Sequence, residues 1–192
     1  VMKGGRVILS ETPEIIGAEH ILADRAVTRE VAERLLEIVK RTETMALDIG
    51  VDIRSANPSR GNKKGGITTL EEKSLGCIYK GGTTALRQVV NYAEVPTERG
   101  LVVMDTPGND IQSLVGMAAG GAQVAVFSTG RGTPTGSPIM PVIKVSSNSI
   151  IYKKMKENID LNAGVALEGK ASINKLGERL FNLTVKVANG KK

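Results

Sequence analysis

Four short apolar runs, each closed by turn-forming residues and separated by stretches of helical spacing, constrain the fold of this chain. They are Val7–Leu9, within a strand over Arg6–Ser10, then Leu101–Asp105, Gln123–Phe127 and Pro141–Val145. Leu86–Tyr92 is a further strand candidate. Strands that alternate with helices are joined by crossovers and favour a mainly parallel sheet covered by helices. The expected fold class is therefore three-layer α/β, Rossmann-like, as one domain over residues 1–192. The 22 glycines suit tight strand-to-helix turns. Aromatic residues are only 3% and Trp is absent, so the core must be built from Val, Ile, Leu, Ala and Met.

The helices announce themselves by caps and apolar spacing. Thr12 can cap a helix with Pro13 at its first position. A second helix starts at Thr28 and carries Val31, Leu35, Ile38 and Val39 on one face. Residues 43–66 read as polar and irregular, the longest loop-like stretch. Thr68 with Glu71, or Thr69 with Glu72, forms a capping box for a helix reaching about Tyr79. Asn109 or Asp110 caps a helix to about Gly121, where Gly116 and Gly120 allow close packing on a sheet. Ser147 or Asn148 is a further cap. Ile173, Leu176, Leu180, Leu183 and Val187 mark a last helix that begins at Ser172 and stops before Gly190.

The net charge of +6 is carried by lysines and arginines without interleaved aromatics. That argues for a solvated basic surface or a site for acidic metabolites, and against nucleic acid. The single cysteine, Cys77, excludes an intrachain disulfide and fits a reducing cytoplasm. It reads as core, not as a nucleophile. No apolar run approaches the ~20 residues of a membrane span, so no membrane contact is expected. Val1 to Gly5 runs at once into a strand, as in a chain cut from a longer one.

In parallel sheets, ligands bind outside the carboxyl ends of the strands. Glu11, Asp105 and Arg131 each follow a strand, so they are expected on one rim. Arg131 sits in Ser128-Thr129-Gly130-Arg131-Gly132-Thr133-Pro134. This is either a structural turn or, the favoured reading, a carboxylate clamp: the guanidinium binds bidentately and the glycines let a ligand approach. Residues 57–66 form a second basic, glycine-rich segment. Amides freed by Gly61, Gly65 and Gly66 are expected to face an anion, with Lys63 and Lys64 beside them. Its spacing mimics a phosphate-binding P-loop, but Ile67 stands where the lysine is needed, which excludes nucleotide hydrolysis. Glu11, Glu14 and Glu19 lie near the only histidine, His20. They are helix-dipole partners or oxygen ligands for a divalent metal. Glu71 and Glu72 read as capping groups, not as bases.

Several blocks, in order, resemble the altronate/galactarate dehydratases, a sugar-acid dehydratase family, in their C-terminal domain. They are Ser10 to Leu22, Asn57 to Gly76, Asp105 to Asp110, Phe127 to Pro134, Pro141 to Asn148 and Asp160 to Gly164. Departures are Arg60, where relatives often have Pro, and Thr135, where an aromatic is common. The resemblance implies elimination of water from an aldonate or aldarate, giving a 2-keto-3-deoxy acid. It implies a divalent metal, iron or manganese, completed by the full-length protein. It implies a preceding domain and a small antifreeze-like (SAF) domain, in the same chain or a separate one, and leaves a homo-oligomer open. Under it, Glu11, His20, Lys63 and Asp105 are the catalytic candidates, and Glu11 and Glu14 the metal candidates. Asn62, Lys64, Gly65, Gly66, Thr129, Gly130, Arg131, Gly132 and Thr133 are the substrate-binding candidates. The isolated domain is expected to be weakly active or inactive. A sulfolactate sulfo-lyase large subunit, or a non-catalytic binding or assembly domain, is the alternative.

Overall fold

A computed structural model describes residues 1 and 3–191 of the chain. Met2, part of the expected abrupt start, lies outside the described residues. The chain is α/β, with two parallel three-stranded sheets and helices around them. It divides into two compact units, Val1–Gly121 and Ala122–Lys192.

The first unit runs β1 (Val7–Leu9), α1 (Thr12–Ile15), α2 (Glu19–Ala23), α3 (Arg29–Asp48), α4 (Ile53–Ala56), α5 (Arg60–Lys64), α6 (Leu70–Lys80), β2 (Leu86–Val90), β3 (Leu101–Met104) and α7 (Asp110–Ala119). Its strands lie in the order β1-β3-β2, all parallel, with Val7 against Leu101 and Val90 against Met104. Every residue of β3 is buried, as a central strand covered on both faces requires. Alternate residues serve opposite faces. Leu101 and Val103 join Leu9, Ile16, Leu35, Ile38, Leu70 and Ile78 under α3 and α6. Val102 and Met104 join Val90 on the other side, with Met117 of α7 packed against them. The glycine spacing on α7 does what the sequence implied. A methyl at Gly120 would meet Met104 Cε at 2.4 Å, and one at Gly116 would meet the Tyr92 ring at 2.4 Å.

The second unit runs β4 (Ala125–Thr129), β5 (Val142–Ser146), α8 (Ser149–Lys154), β6 (Leu161–Asn162), α9 (Gly164–Leu167) and α10 (Ile173–Ala188). Its sheet has the order β4-β5-β6, again parallel, and the central β5 is buried along its whole length.

Most caps fall where expected: Thr28, Thr69, Asn109, Asn148 and Ser172 each accept a first-turn amide. Two local expectations are corrected. Thr12 does not cap α1; Glu11 occupies the cap position, because the Thr12 hydroxyl is taken by Asp105 at 2.6 Å. Residues 43–66 are not one loop. α3 continues to Asp48 with Met45 and Leu47 exposed, and α4 and α5 follow, so solvated helix reads as polar irregularity.

Candidate active site

The carboxyl ends of β1 and β3 are neighbours, and the chain leaves both in tight turns. After β1, the Glu11 amide donates to Thr106 Oγ1 at 2.7 Å, and the Thr12 amide donates to the Thr106 carbonyl at 3.0 Å. Thr106 follows Asp105 at the end of β3. These two bonds hold Glu11 at φ 71°, ψ 66°, a left-handed conformation uncommon for a residue with a Cβ. Such strain persists only where neighbours over-determine it, and it concentrates at functional sites. The hydroxyls behind it are satisfied in series. Ser113 donates to Ser10 at 3.0 Å, which leaves Thr106 to donate to Ser113 at 3.2 Å.

Around this turn the charges pair off. Asp105 accepts from the Thr12 hydroxyl on one oxygen and from Arg41 of α3 on the other. Lys73 of α6 stands 2.6 Å from Glu14 Oε2 and donates to Asn57 Oδ1 at 2.7 Å. The Lys73–Glu14 contact is ionic, because Oε2 is buried and no aligned hydrogen bond reaches it. Glu11 is different: its carboxylate has no hydrogen-bond or ion-pair partner among the described residues. Burial pushes its pKa above the ordinary value; Lys80 and Lys73 pull it down, against Glu14 and Asp110. The edge thus holds one strained, half-buried carboxyl group whose pKa is raised, beside the Asp105–Arg41 and Glu14–Lys73 pairs.

Arg41 and Lys73 were not among the residues singled out in the sequence. Lys73 carried a signal. It falls three residues after Leu70 and four before Cys77, on the buried stripe of α6. A charge on such a stripe needs a buried partner. Arg41 carried none as clear; it flanks the Leu35, Ile38 and Val39 stripe, and only the fold sets it beside Asp105.

Other acids are engaged elsewhere. Glu19 accepts the Gly17 amide at 2.5 Å. Glu72 bonds the amide and hydroxyl of Thr68 at 2.8 and 2.7 Å and so serves the start of α6 as expected, whereas Glu71 pairs with Arg54 of α4 at 2.5 Å. His20 is exposed on α2. Cys77 is buried in the core, and burial raises its pKa.

The segment 57–66 is not an open amide cradle. Residues 60–64 wind into α5, and the Gly65 and Gly66 amides donate to the carbonyls of Gly61, Asn62 and Lys63. Helix closure consumes two of the donors that the glycines were expected to free, the Gly65 and Gly66 amides. Lys63 and Lys64 remain exposed on the last turn of α5, and Asn62 Oδ1 accepts the Ser59 hydroxyl at 2.8 Å.

The second unit has its own carboxyl edge. The Gly132 amide donates to Thr129 Oγ1 at 2.9 Å, and Thr133 Oγ1 accepts the Thr135 amide at 3.1 Å. Arg131, between them, is exposed, and no ion pair or hydrogen bond engages it. The flanking glycines differ. A methyl at Gly130 would make an ordinary contact with Ser147 Oγ at 3.5 Å. One at Gly132 would strike Met155 Sδ at 2.3 Å, where φ is also +81°. Packing and backbone angle therefore both favour glycine at 132. Ser149 and Asn162 complete this edge, bonded to each other at 3.0 Å. The expected single rim is corrected: Glu11 and Asp105 follow strands of one sheet, whereas Arg131 follows β4 of the other.

The residues present do not fit a divalent metal by themselves. Among the described residues no group of three or more His, Cys, Asp or Glu is assembled, and Glu14 is neutralised by Lys73. No described helix is long and apolar enough to cross a membrane.

Comparison with known proteins gives a whole-chain match. The family model described as D-galactarate/altronate dehydratase, C-terminal, covers residues 1–192. Galactarate dehydratase (L-threo-forming) of Escherichia coli (strain K12) is 41% identical over 189 residues, 98% of this chain and 36% of the relative. Altronate dehydratase of Bacillus subtilis (strain 168) is 37% identical over 190 residues, 99% of this chain and 38% of the relative. A (2R)-sulfolactate sulfo-lyase subunit beta of Chromohalobacter salexigens is 34% identical over 191 residues, 98% of this chain and 49% of the relative. The chain thus spans well under half to about half the length of these relatives.

Proposed function

Because the chain belongs to the D-galactarate/altronate dehydratase C-terminal family, we propose that it works within a hydro-lyase acting on an aldonate or aldarate. The product is a 2-keto-3-deoxy acid, formed when the enol left by loss of water tautomerises. The single observation that carries this reading is the match over residues 1–192.

In such an elimination a base takes the C2 proton, negative charge develops toward the carboxylate, and the C3 hydroxyl leaves with a proton. Glu11 is the group of this chain suited to hold and deliver a proton, since burial favours its neutral form. Asp105 is committed to Thr12 and Arg41, so its part is to fix the turn that presents Glu11. In the second unit the exposed Arg131 offers a guanidinium fork suited to a carboxylate, and in the first unit Lys63 and Lys64 offer positive charge.

We assign the divalent metal, iron or manganese, to ligands outside this chain; the unassembled acids support that assignment. No step is routed through it. The preceding and SAF-type domains belong, on this reading, to the same enzyme, because the relatives are longer than the matched region. A cytoplasmic location is supported by the lone reduced Cys77.

The sulfo-lyase reading ranks second, on the lower identity of that relative. The deciding experiment offers galactarate, altronate and sulfolactate to the enzyme that contains this chain, and measures 2-keto acid and sulfite. We expect 2-keto acid from a sugar acid and no sulfite. Sulfite release would install the sulfo-lyase reading; silence toward all three would leave a binding or assembly domain.

A further inference from the structure

Lys144 lies in the middle of β5 and is only 9% exposed. No carboxylate pairs with its ammonium among the described residues. Instead Nζ donates to two backbone carbonyls, Thr135 at 3.1 Å and Pro134 at 3.4 Å. A buried ammonium held by carbonyls alone is a costly way to fill space, and an apolar side chain of the same shape would be cheaper. The charge therefore has a task that an apolar side chain could not perform. The two carbonyls say what it is: they close the loop that leaves β4 and carries Arg131.

The anchor itself is fixed. The Lys144 amide donates to Asp160 Oδ2 at 2.8 Å, and the Asp160 amide donates back to the Lys144 carbonyl at 2.9 Å. Thr129 is held by the β4–β5 ladder at one end of the loop, and Lys144 holds residues 134 and 135 at the other. Between these points Arg131 is exposed and uncommitted. A long cationic side chain on a loose loop would lose conformational entropy on binding; pinning both loop ends removes the backbone part of that cost.

We propose that Lys144 is a positioning residue that holds the Arg131 loop in place for an acidic ligand, an inference that rests on reading Arg131 as the carboxylate clamp. The test uses Lys144→Met, which keeps an unbranched side chain one atom shorter and loses the donors. Its first arm follows an arginine-specific protease at the Arg131–Gly132 bond of the chain, with Arg99–Gly100 in the other unit as internal control. We expect cleavage at Arg131 to rise at least about tenfold and cleavage at Arg99 to stay the same. Its second arm measures galactarate turnover by the enzyme containing this chain. KM should rise about tenfold while kcat changes by less than about twofold, the pattern of lost uniform binding. Adding Arg131→Ala to Lys144→Met should raise KM little beyond Arg131→Ala alone, because the two act through one interaction.

Unchanged cleavage at Arg131 overturns the tether. Additive effects of the two substitutions on KM overturn the positioning role even if the loop is loosened. If Arg131→Ala alone leaves KM unchanged, the clamp reading fails and the proposal with it; the protease arm separates that failure from loss of the tether. Should Lys144→Met not fold, Lys144→Gln, which removes the charge but keeps a polar group in the buried position, is read on the same two arms.

Discussion

The two carboxyl edges of this protein are built alike and charged differently. Each is formed by neighbouring parallel strands that end in tight turns. At the first, charges answer one another: Arg41 meets Asp105, Lys73 meets Glu14, and Glu11 is left half-buried with a raised pKa. At the second, hydroxyls and an amide do the framing, and Arg131 is exposed with no ion pair or hydrogen bond. The difference lies in how each edge disposes of its charges. Burial and neighbouring carboxylates raise the pKa of a carboxyl group. A group that captures a carboxylate needs an open fork on a fixed base.

The sharpest way to break the first half of that comparison is to strand one of its charges. Lys73 and Glu14 side chains are 20% and 15% exposed, so the pair is largely desolvated. Lys73→Met should destabilise the first unit by about 3 kcal/mol, because a buried carboxylate is left alone. Adding Glu14→Gln should restore more than half of that loss. Denaturant titration of the single and double variants checks it, and a near-zero cost for Lys73→Met would make the pair an ordinary surface bridge.

Arg131→Lys tests the second edge. It keeps the charge and loses the bidentate geometry. In the active enzyme kcat/KM should fall roughly 10- to 150-fold, the worth of about 1.5–3 kcal/mol for a charged hydrogen bond. The melting temperature should stay within about 1 °C, because an exposed side chain without partners supports no packing. Lost stability with intact kcat/KM per folded molecule would reverse the assignment.

The smallest effect is a pH dependence at Glu11. Its folded-state pKa lies above the ordinary 4.5, so between those two values the folded chain keeps a proton that the unfolded chain has released. That favourable contribution is fully present below 4.5 and is lost as pH rises through the folded value. Glu11→Gln removes the dependence. At pH 7 the variant should melt higher than the parent, and the gain should vanish below the ordinary value. Thermal scans from pH 4 to 8 check it. A variant that melts lower at neutral pH would mean that the ionised carboxylate has a favourable partner, and Glu11 would lose its place as the proton carrier.

Much of this was legible in the chain before any coordinates. Alternating apolar runs and capped helices determined a parallel α/β protein, and Thr28, Thr69, Asn109 and Ser172 mark their helix starts through local chemistry that needs no tertiary context. The residues after β1, β3 and β4 were also found in sequence, because strand ends in parallel sheets are where ligands go. The glycine-rich segment was misread for the same local reason: glycine licenses an open turn and does not forbid a helix, and here α5 took up the amides. Which strands share a sheet was not written locally, since a strand of three to five residues carries no label for its partner; Arg131 follows a strand of one sheet, and Glu11 and Asp105 follow strands of the other. Only the tertiary structure could set Arg41 against Asp105 and Lys73 against Glu14, 64 and 59 residues apart along the chain. Only it could bend Glu11 into a left-handed turn under Thr106 or bury Lys144 beneath the Arg131 loop. Pairings of this kind depend on what long-range packing excludes from water, and a linear pattern of residues does not contain that information.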